Sequence, residues 1–574
     1  MARLLVCLAA WLLALLAGVA ELTAADPIVS LWSDFDPDQG EFREEIVQQE
    51  TRDGIFRRDS YISAYVLGEE IRVYCRYAVK AGATNCPGLL SVHGWMGAAG
   101  IPQEFVNDGW AVMAHDYCGQ TGDRPQYTKY PPKLRQGNMD AKVCGPVRSQ
   151  TLDGQEITDP RQTSDYIWYA IQRRVLSYLQ QQKEVDRQRL GATGYSYGGT
   201  LMWNLGTDPR VKAVVAHFGI GYTEYWRSKQ VWMYNVPYIE PPKSSGEEVY
   251  LAAIAPEAHV PHMTAATLFL NGSNDHHGGH ERGLQSFKQF RPDVPWSFAI
   301  QARGHHDTDK IEHNTKLWLE RHVLEKPVLW PEHPLSAIRL DADGVPELVV
   351  SPALPGQVRK VEIYYALKNP VSFNRSWRDA ASIREGDTWI GKLPVLSIED
   401  YLFAYANVTY DSTIVRSTNF EAVIPQSLGS ARATDTPSDV ISSDGYGAWS
   451  DIAEIEGPQG VKAFRPTSPG KGTTTEQLHD PKWQAPPQTS LKFQFFCTEP
   501  QTVILTAADY NTVELEIPAS DAWQEMTVAP ERLINRFSQG PMKEWSSVAK
   551  LQIQSKPGSD LTKILFADFR WVKK

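Results

Sequence analysis

The sequence predicts a doubly wound α/β sheet followed by two all-β domains, an Ig-like sandwich and a jelly roll. Three observations predict it. From about residue 60 to 325, short apolar strands alternate with amphipathic segments. Beyond about residue 336 the helical spacing nearly vanishes and alternating strands replace it. Two stretches, the Pro-punctuated 329–334 and the small, polar 426–436, break the chain between these regions. At 574 residues the chain is too long for a single core. The expected division is a leader at 1–25, an α/β domain at 26–328, a β-sandwich at 336–425 and a jelly roll at 437–574.

In the first region Ile71-Arg72-Val73-Tyr74-Cys75-Arg76-Tyr77 alternates like a strand. The runs 87–92, 110–114, 211–216, 267–270 and 296–300 are mostly apolar and read as buried strands. Between them, 163–182 and 283–290 carry helical spacing. Continuous apolar strands separated by helices imply a largely parallel sheet covered on both faces. In the second region 361–365, 388–390 and 401–408 are expected strands, and in the third 490–495, 502–505 and 564–571.

The N-terminus is Met1-Ala2-Arg3, an apolar run over 4–20, and small residues around Ala24-Ala25. One positive charge, a short apolar core and a small-residue exit describe a secretory signal peptide, with a short membrane anchor as the rival reading. The expected location is therefore secreted or periplasmic. Net charge is −11 with no basic cluster, which argues against a nucleic-acid partner. Beyond the leader lie Cys75, Cys86, Cys118, Cys144 and Cys497. In an oxidising compartment Cys75–Cys86 and Cys118–Cys144 could close local loops, and free buried thiols are the alternative. No Cys/His spacing fits a structural zinc site, so neither a metal nor a cofactor is expected.

Chemistry concentrates at the ends of the predicted strands, where doubly wound sheets place their catalytic groups. Gly194-Tyr195-Ser196-Tyr197-Gly198-Gly199 is a G-x-S-x-G pattern at a strand-to-helix junction. So tight a turn needs glycines around the serine and pushes its hydroxyl into the open. The run 89–92 ends in His93-Gly94-Trp95-Met96-Gly97, the run 267–270 in Asn271-Gly272-Ser273-Asn274-Asp275, and the run 296–300 in Gln301-Ala302-Arg303-Gly304-His305-His306-Asp307.

These loops, in this order, resemble an α/β-hydrolase: a His-Gly loop, a nucleophile elbow, a Gly-x-x-Asp acid loop and a Gly-His base. The resemblance covers about residues 60 to 325. It is closest to the dienelactone hydrolase, acetyl xylan esterase and prolyl-oligopeptidase-like groups. It implies Ser196 as nucleophile, Asp275 as the acid and His305 as the base, with the backbone N–H groups of Tyr197 and Trp95 forming the oxyanion hole. Asp307 is a rival acid. His306 is a rival base, because only one of two adjacent histidines can face inward. His276, His277 and His280 could form a metal cluster but read better as polar residues at the mouth of the site. His93 is expected to shape the oxyanion loop, and Asp116 to brace it.

Loops 120–157 and 221–251 should shape the pocket. The second carries Trp226, Trp232 and Tyr234, candidate substrate-binding rings that could equally pack the loop itself. The third region resembles a galactose-binding-like jelly roll, with Trp449, Trp483, Trp523 and Trp545 as candidates for a binding face. The expectation is a secreted serine esterase deacylating a small molecule or polysaccharide. A prolyl-oligopeptidase-like peptidase, and a non-catalytic glycan-binding protein, are the alternatives.

Overall fold

The computed structural model describes residues 26–134, 154–221, 243–441, 445 and 448–573. The described chain divides at Trp330/Pro331 into two compact units.

The first unit is built on nine strands: β1 (Glu45–Arg52), β2 (Ile55–Val66), β3 (Glu69–Lys80), β4 (Cys86–Val92), β5 (Ala111–His115), β6 (Val185–Tyr195), β7 (Val211–His217), β8 (Ala266–Gly272) and β9 (Trp296–Gln301). Their order across the sheet is β1-β2-β3-β5-β4-β6-β7-β8-β9. The β1 to β3 pairings and the β3–β5 pairing are antiparallel, and from β5 to β9 every pairing is parallel. Every residue of β4 and β8 is buried, as continuous apolar runs in a two-sided sheet require.

Helices α1 (Ser164–Gln180), α2 (Tyr197–Leu205), α3 (Ser245–Ala253), α4 (His280–Phe287) and α5 (His313–His322) accompany the strands. Thr163 starts α1 by accepting the Tyr166 N–H on its hydroxyl. The strand order reverses at β4, which lies between β5 and β6. A crevice therefore opens beyond the carboxyl ends of β4 and β6, the customary ligand position in such sheets. This is the α/β-hydrolase fold, as the order of loops implied.

The second unit is all-β. Strands β10 (Leu335–Leu340), β11 (Pro346–Ser351), β14 (Ile383–Glu385) and β15 (Thr388–Lys392) form one sheet. A second sheet contains β12 (Val358–Leu367), β13 (Arg378–Ala380), β16 (Leu402–Tyr410), β17 (Val415–Ser417) and β18 (Glu421–Val423). Leu348 and Val350 of the first sheet share a core with Ile363, Tyr365 and Ala404 of the second. Two further five-stranded antiparallel sheets follow, from Ile452–Glu456 to Leu565–Lys573, around a separate core. Trp449, Trp483 and Trp545 are buried in that core, so none of the three lines a binding face. Trp523 is partly exposed and donates its indole N–H to the Pro458 carbonyl at 3.0 Å.

Cys75, Cys86, Cys118 and Cys497 are buried free thiols, so the Cys75–Cys86 loop is not closed by a disulfide. Cys144 lies outside the described residues. So do residues 1–25, the expected leader, and the candidate rings Trp226, Trp232 and Tyr234.

Candidate active site

The elbow between β6 and α2 is formed as its glycines demand. Ser196 adopts φ 55°, ψ −122°, a strained backbone for a residue with a side chain. A Cβ on Gly194 would lie 2.2 Å from the Gly198 carbonyl oxygen, and one on Gly198 would lie 2.4 Å from those of Val92 and His93. Neither position can carry a side chain. The Ser196 N–H is held by the His217 carbonyl at 2.9 Å.

His306 Nε2 lies 2.8 Å from Ser196 Oγ, and His306 Nδ1 lies 3.1 Å from Asp275 Oδ1. The histidine facing the serine is thus His306, not His305 as expected. The reason lies in Asp307, whose carboxylate accepts the His305 N–H at 3.1 Å and the Gln301 side-chain N–H. That turn leaves the His305 side chain exposed and swings the next residue over Asp275. Asp307 is engaged in this turn, and the carboxylate at His306 is that of Asp275. Asp275 is fully buried, and its Oδ1 also accepts the His277 N–H at 2.7 Å. The acid and base loops are laced together by Ser273 N–H to Gln301 O at 2.9 Å and Asn274 N–H to Gly304 O at 2.8 Å. The Phe218 ring packs on His306, with centroids 4.4 Å apart.

The sequence-flagged histidine cluster is dispersed. His277 Nδ1 turns to the Phe218 carbonyl at 3.0 Å, and His280 is buried with Nε2 3.9 Å from Glu281. His276 lies beside His306 with ring centroids 4.8 Å apart, and the His277 ring meets His306 edge-on at 5.6 Å.

Across the crevice, Trp95 is exposed on the loop after β4, and Gly97 N–H closes a turn onto Gly94 O at 2.9 Å. The His93 ring stacks on Tyr117 at 4.7 Å and points Nε2 at Asp116, 3.5 Å away. Asp116 is fully buried and accepts the N–H groups of Gly119 and Thr128 at 3.1 and 2.7 Å. The His93 ring at the start of this loop is thus held between the Tyr117 ring and the neighbourhood of a buried carboxylate. Tyr197 begins α2, whose N-terminal end carries the positive pole of the helix, and its hydroxyl donates to the buried Asp165.

His217, at the carboxyl end of β7, was not singled out from the sequence. Its Nδ1 lies 2.9 Å from Thr308 Oγ1 and its Nε2 3.1 Å from Thr315 Oγ1, while its ring stacks on Tyr195 at 4.3 Å. Burial depresses its pKa to about 3, so it is a neutral strut joining the elbow to the base loop. The rule that exposed the other residues, inspecting what ends each strand, would also have found it.

Residues 172–325 match the Prolyl oligopeptidase family. No curated protein is matched by the sequence. Among solved structures, acetyl xylan esterase 1 from Thermoanaerobacterium sp. JW/SL YS485 is similar at 17% identity over 49% of this chain and 88% of that one, TM-score 0.39. The acetyl xylan esterase from Paenibacillus sp. R4 is similar at 19% identity over 50% and 90%, TM-score 0.39. The Pyrococcus horikoshii acylaminoacyl peptidase is similar at 14% identity over 51% of each chain, TM-score 0.33. Fold and family match together define the class: the first unit is that of a serine hydrolase of the α/β-hydrolase type.

Proposed function

We propose that this protein is an exported serine esterase that removes acyl groups from a carbohydrate, with Ser196, His306 and Asp275 as its triad. The observation that carries the reading is the unbroken line from Ser196 Oγ through both nitrogens of His306 to a buried carboxylate.

Catalysis runs along that line. His306 Nε2 takes the Ser196 proton as Oγ attacks the acyl carbonyl. Asp275 holds the proton on Nδ1 and steadies the imidazolium. The N–H groups of Tyr197 and Trp95 receive the oxyanion, each worth about 3 kcal/mol by analogy with such holes. Collapse of the intermediate passes the proton from His306 to the departing alkoxide and leaves an acyl-Ser196. His306 then deprotonates a water, which releases the acid by the same steps in reverse.

The ester reading rests on the joining of this unit to two β regions, the last resembling carbohydrate-binding modules. With three of its tryptophans buried, the best remaining platform there is the exposed pair Tyr510 and Phe537, 6.3 Å apart, with Arg536 over the Phe537 ring at 4.7 Å. Stacking aromatics beside a cation suit a sugar face and its hydroxyls. Export rests on the leader-like residues 1–25. A second reading, a peptidase, is favoured by the family match over 172–325, since the same acyl-enzyme chemistry cleaves amides.

The test is hydrolysis of a short-to-long acyl 4-nitrophenyl ester series by protein lacking residues 1–25, alongside Ser196→Ala. Activity on short acyl esters that vanishes in the variant is expected. A folded protein inert on every ester but active on blocked peptides would replace the esterase reading with the peptidase one.

A further inference from the structure

The side chains of Asp275, His276 and His306 each offer a ligand atom within 4.8 Å of the others. His306 Nδ1 and His276 Nδ1 lie 3.1 and 3.8 Å from the same carboxylate oxygen, Asp275 Oδ1. Ligands around a tetrahedral zinc at its usual bond lengths stand about 3.3–3.5 Å apart. The cluster thus needs only a small closure. His276 can supply it, because its side chain is 65% exposed. A second observation points the same way. Asp275 Oδ2 is buried and has no hydrogen-bond partner among the described residues. A buried carboxylate with an unmet oxygen gains from a cation placed against it.

We propose that Asp275, His276 and His306 form an inhibitory site for a borderline transition-metal dication, Zn2+ being the type ion. The inference rests on the triad assigned above, since two of the three ligands belong to it. Two imidazoles and one carboxylate select Zn2+ or Cu2+ over Mg2+ or Ca2+, which prefer all-oxygen sites. As the ion binds, a metal–nitrogen bond forms at His306 Nδ1, and the single proton of the neutral imidazole moves, by way of solvent, from Nδ1 to Nε2. The carboxylate is then spent on the metal. Nε2, now protonated and on a ring tied to a cation, has no lone pair for the serine proton, so hydrolysis stops until the ion is withdrawn. The chelating partner that distinguishes this site from an ordinary triad is His276, the one ligand outside the catalytic line.

The experiment measures binding and inhibition separately. Zinc chloride is titrated into purified protein by calorimetry, for the native sequence, Ser196→Ala and His276→Asn, with His305→Ala as a control for an adjacent exposed histidine. Rates on 4-nitrophenyl acetate are followed with zinc, then EDTA, and with magnesium. Native protein, Ser196→Ala and His305→Ala should share a zinc-binding event that His276→Asn weakens at least tenfold. Zinc should inhibit reversibly and magnesium should not, while His276→Asn keeps its basal rate and loses at least tenfold in zinc sensitivity. Equal zinc affinity and equal inhibition in the native protein and His276→Asn would overturn the proposal. Absence of hydrolysis on any substrate would overturn the esterase reading instead, with calorimetry on Ser196→Ala still deciding the metal site.

Discussion

Gly94 passes directly over the nucleophile: a Cβ at Gly94 would sit 3.0 Å from Ser196 Cβ and 3.5 Å from Ser196 Oγ. The glycine of the His-Gly loop is there because the loop after β4 crosses the elbow at near-contact distance. Gly94→Ala should leave folding intact, since the clash is with one side chain and can be eased by a shift of a few tenths of an ångström. That shift falls on the attacking oxygen and on the neighbouring Trp95 N–H. A misplacement of this kind costs kcat by about 10–100-fold with little change in KM. Steady-state kinetics with a thermal melt as control checks it. An unchanged kcat would mean that the loop is free to move away.

The two adjacent histidines divide cleanly. His306→Ala should lower kcat by at least about 10³-fold, because the serine then has no acceptor for its proton. His305→Ala should stay within a few-fold of the native rate, since that side chain is exposed and its backbone N–H, which Asp307 holds, survives the change. The reverse pattern would refute the geometry.

What the sequence could reveal followed from local chemistry. Ser196 was legible because its glycines are compelled by contacts within the turn itself, and Asp275 because it follows a buried strand. The choice between His305 and His306 was not legible. It depends on which backbone N–H Asp307 captures, and both histidines follow the same glycine within two residues. Strand β1 escaped notice because all eight of its residues are exposed, so it carries no apolar stripe. Trp449, Trp483 and Trp545 looked the same from sequence whether core or binding platform, and only burial separates those roles.

Stability should depend on pH through histidines that the fold keeps neutral. Burial depresses His115, His217 and His259 each to about 3, against about 6.5 in an unfolded chain. Between those values the unfolded state binds more protons than the folded one. Stability therefore rises with pH across the window from about 3 to 6.5, by up to roughly 1.4 kcal/mol per pH unit for each imidazole, and is level above it as far as these groups are concerned. Urea midpoints from pH 4.5 to 8 should climb and then flatten near 7. His217→Asn should make the climb shallower, while a slope equal to the native one would mean that His217 protonates without cost in the folded state.

In the second unit, Arg378 on β13 reaches out of one core to the residues bordering the other. Its guanidinium grips Asp480 bidentately, bonds Asp435 at 2.6 Å and lies 5.6 Å from the Trp483 ring. Burial alone would discourage its charge, but the hydrogen bonds and charge of Asp480 more than offset this and hold Arg378 firmly protonated. Asp480 in turn is almost completely buried, so removing the arginine strands a carboxylate away from water. Arg378→Ala should destabilise the second unit by about 3–5 kcal/mol, the usual cost of breaking one half of a buried pair. Arg378→Lys should recover only part of it, because an ammonium cannot reproduce the fork. Calorimetric melts of the full chain would show the effect as a lower transition for one unit. The triad of the other unit should continue to turn over substrate at the lower temperatures, and a loss below about 0.5 kcal/mol would mean that water readily replaces the guanidinium.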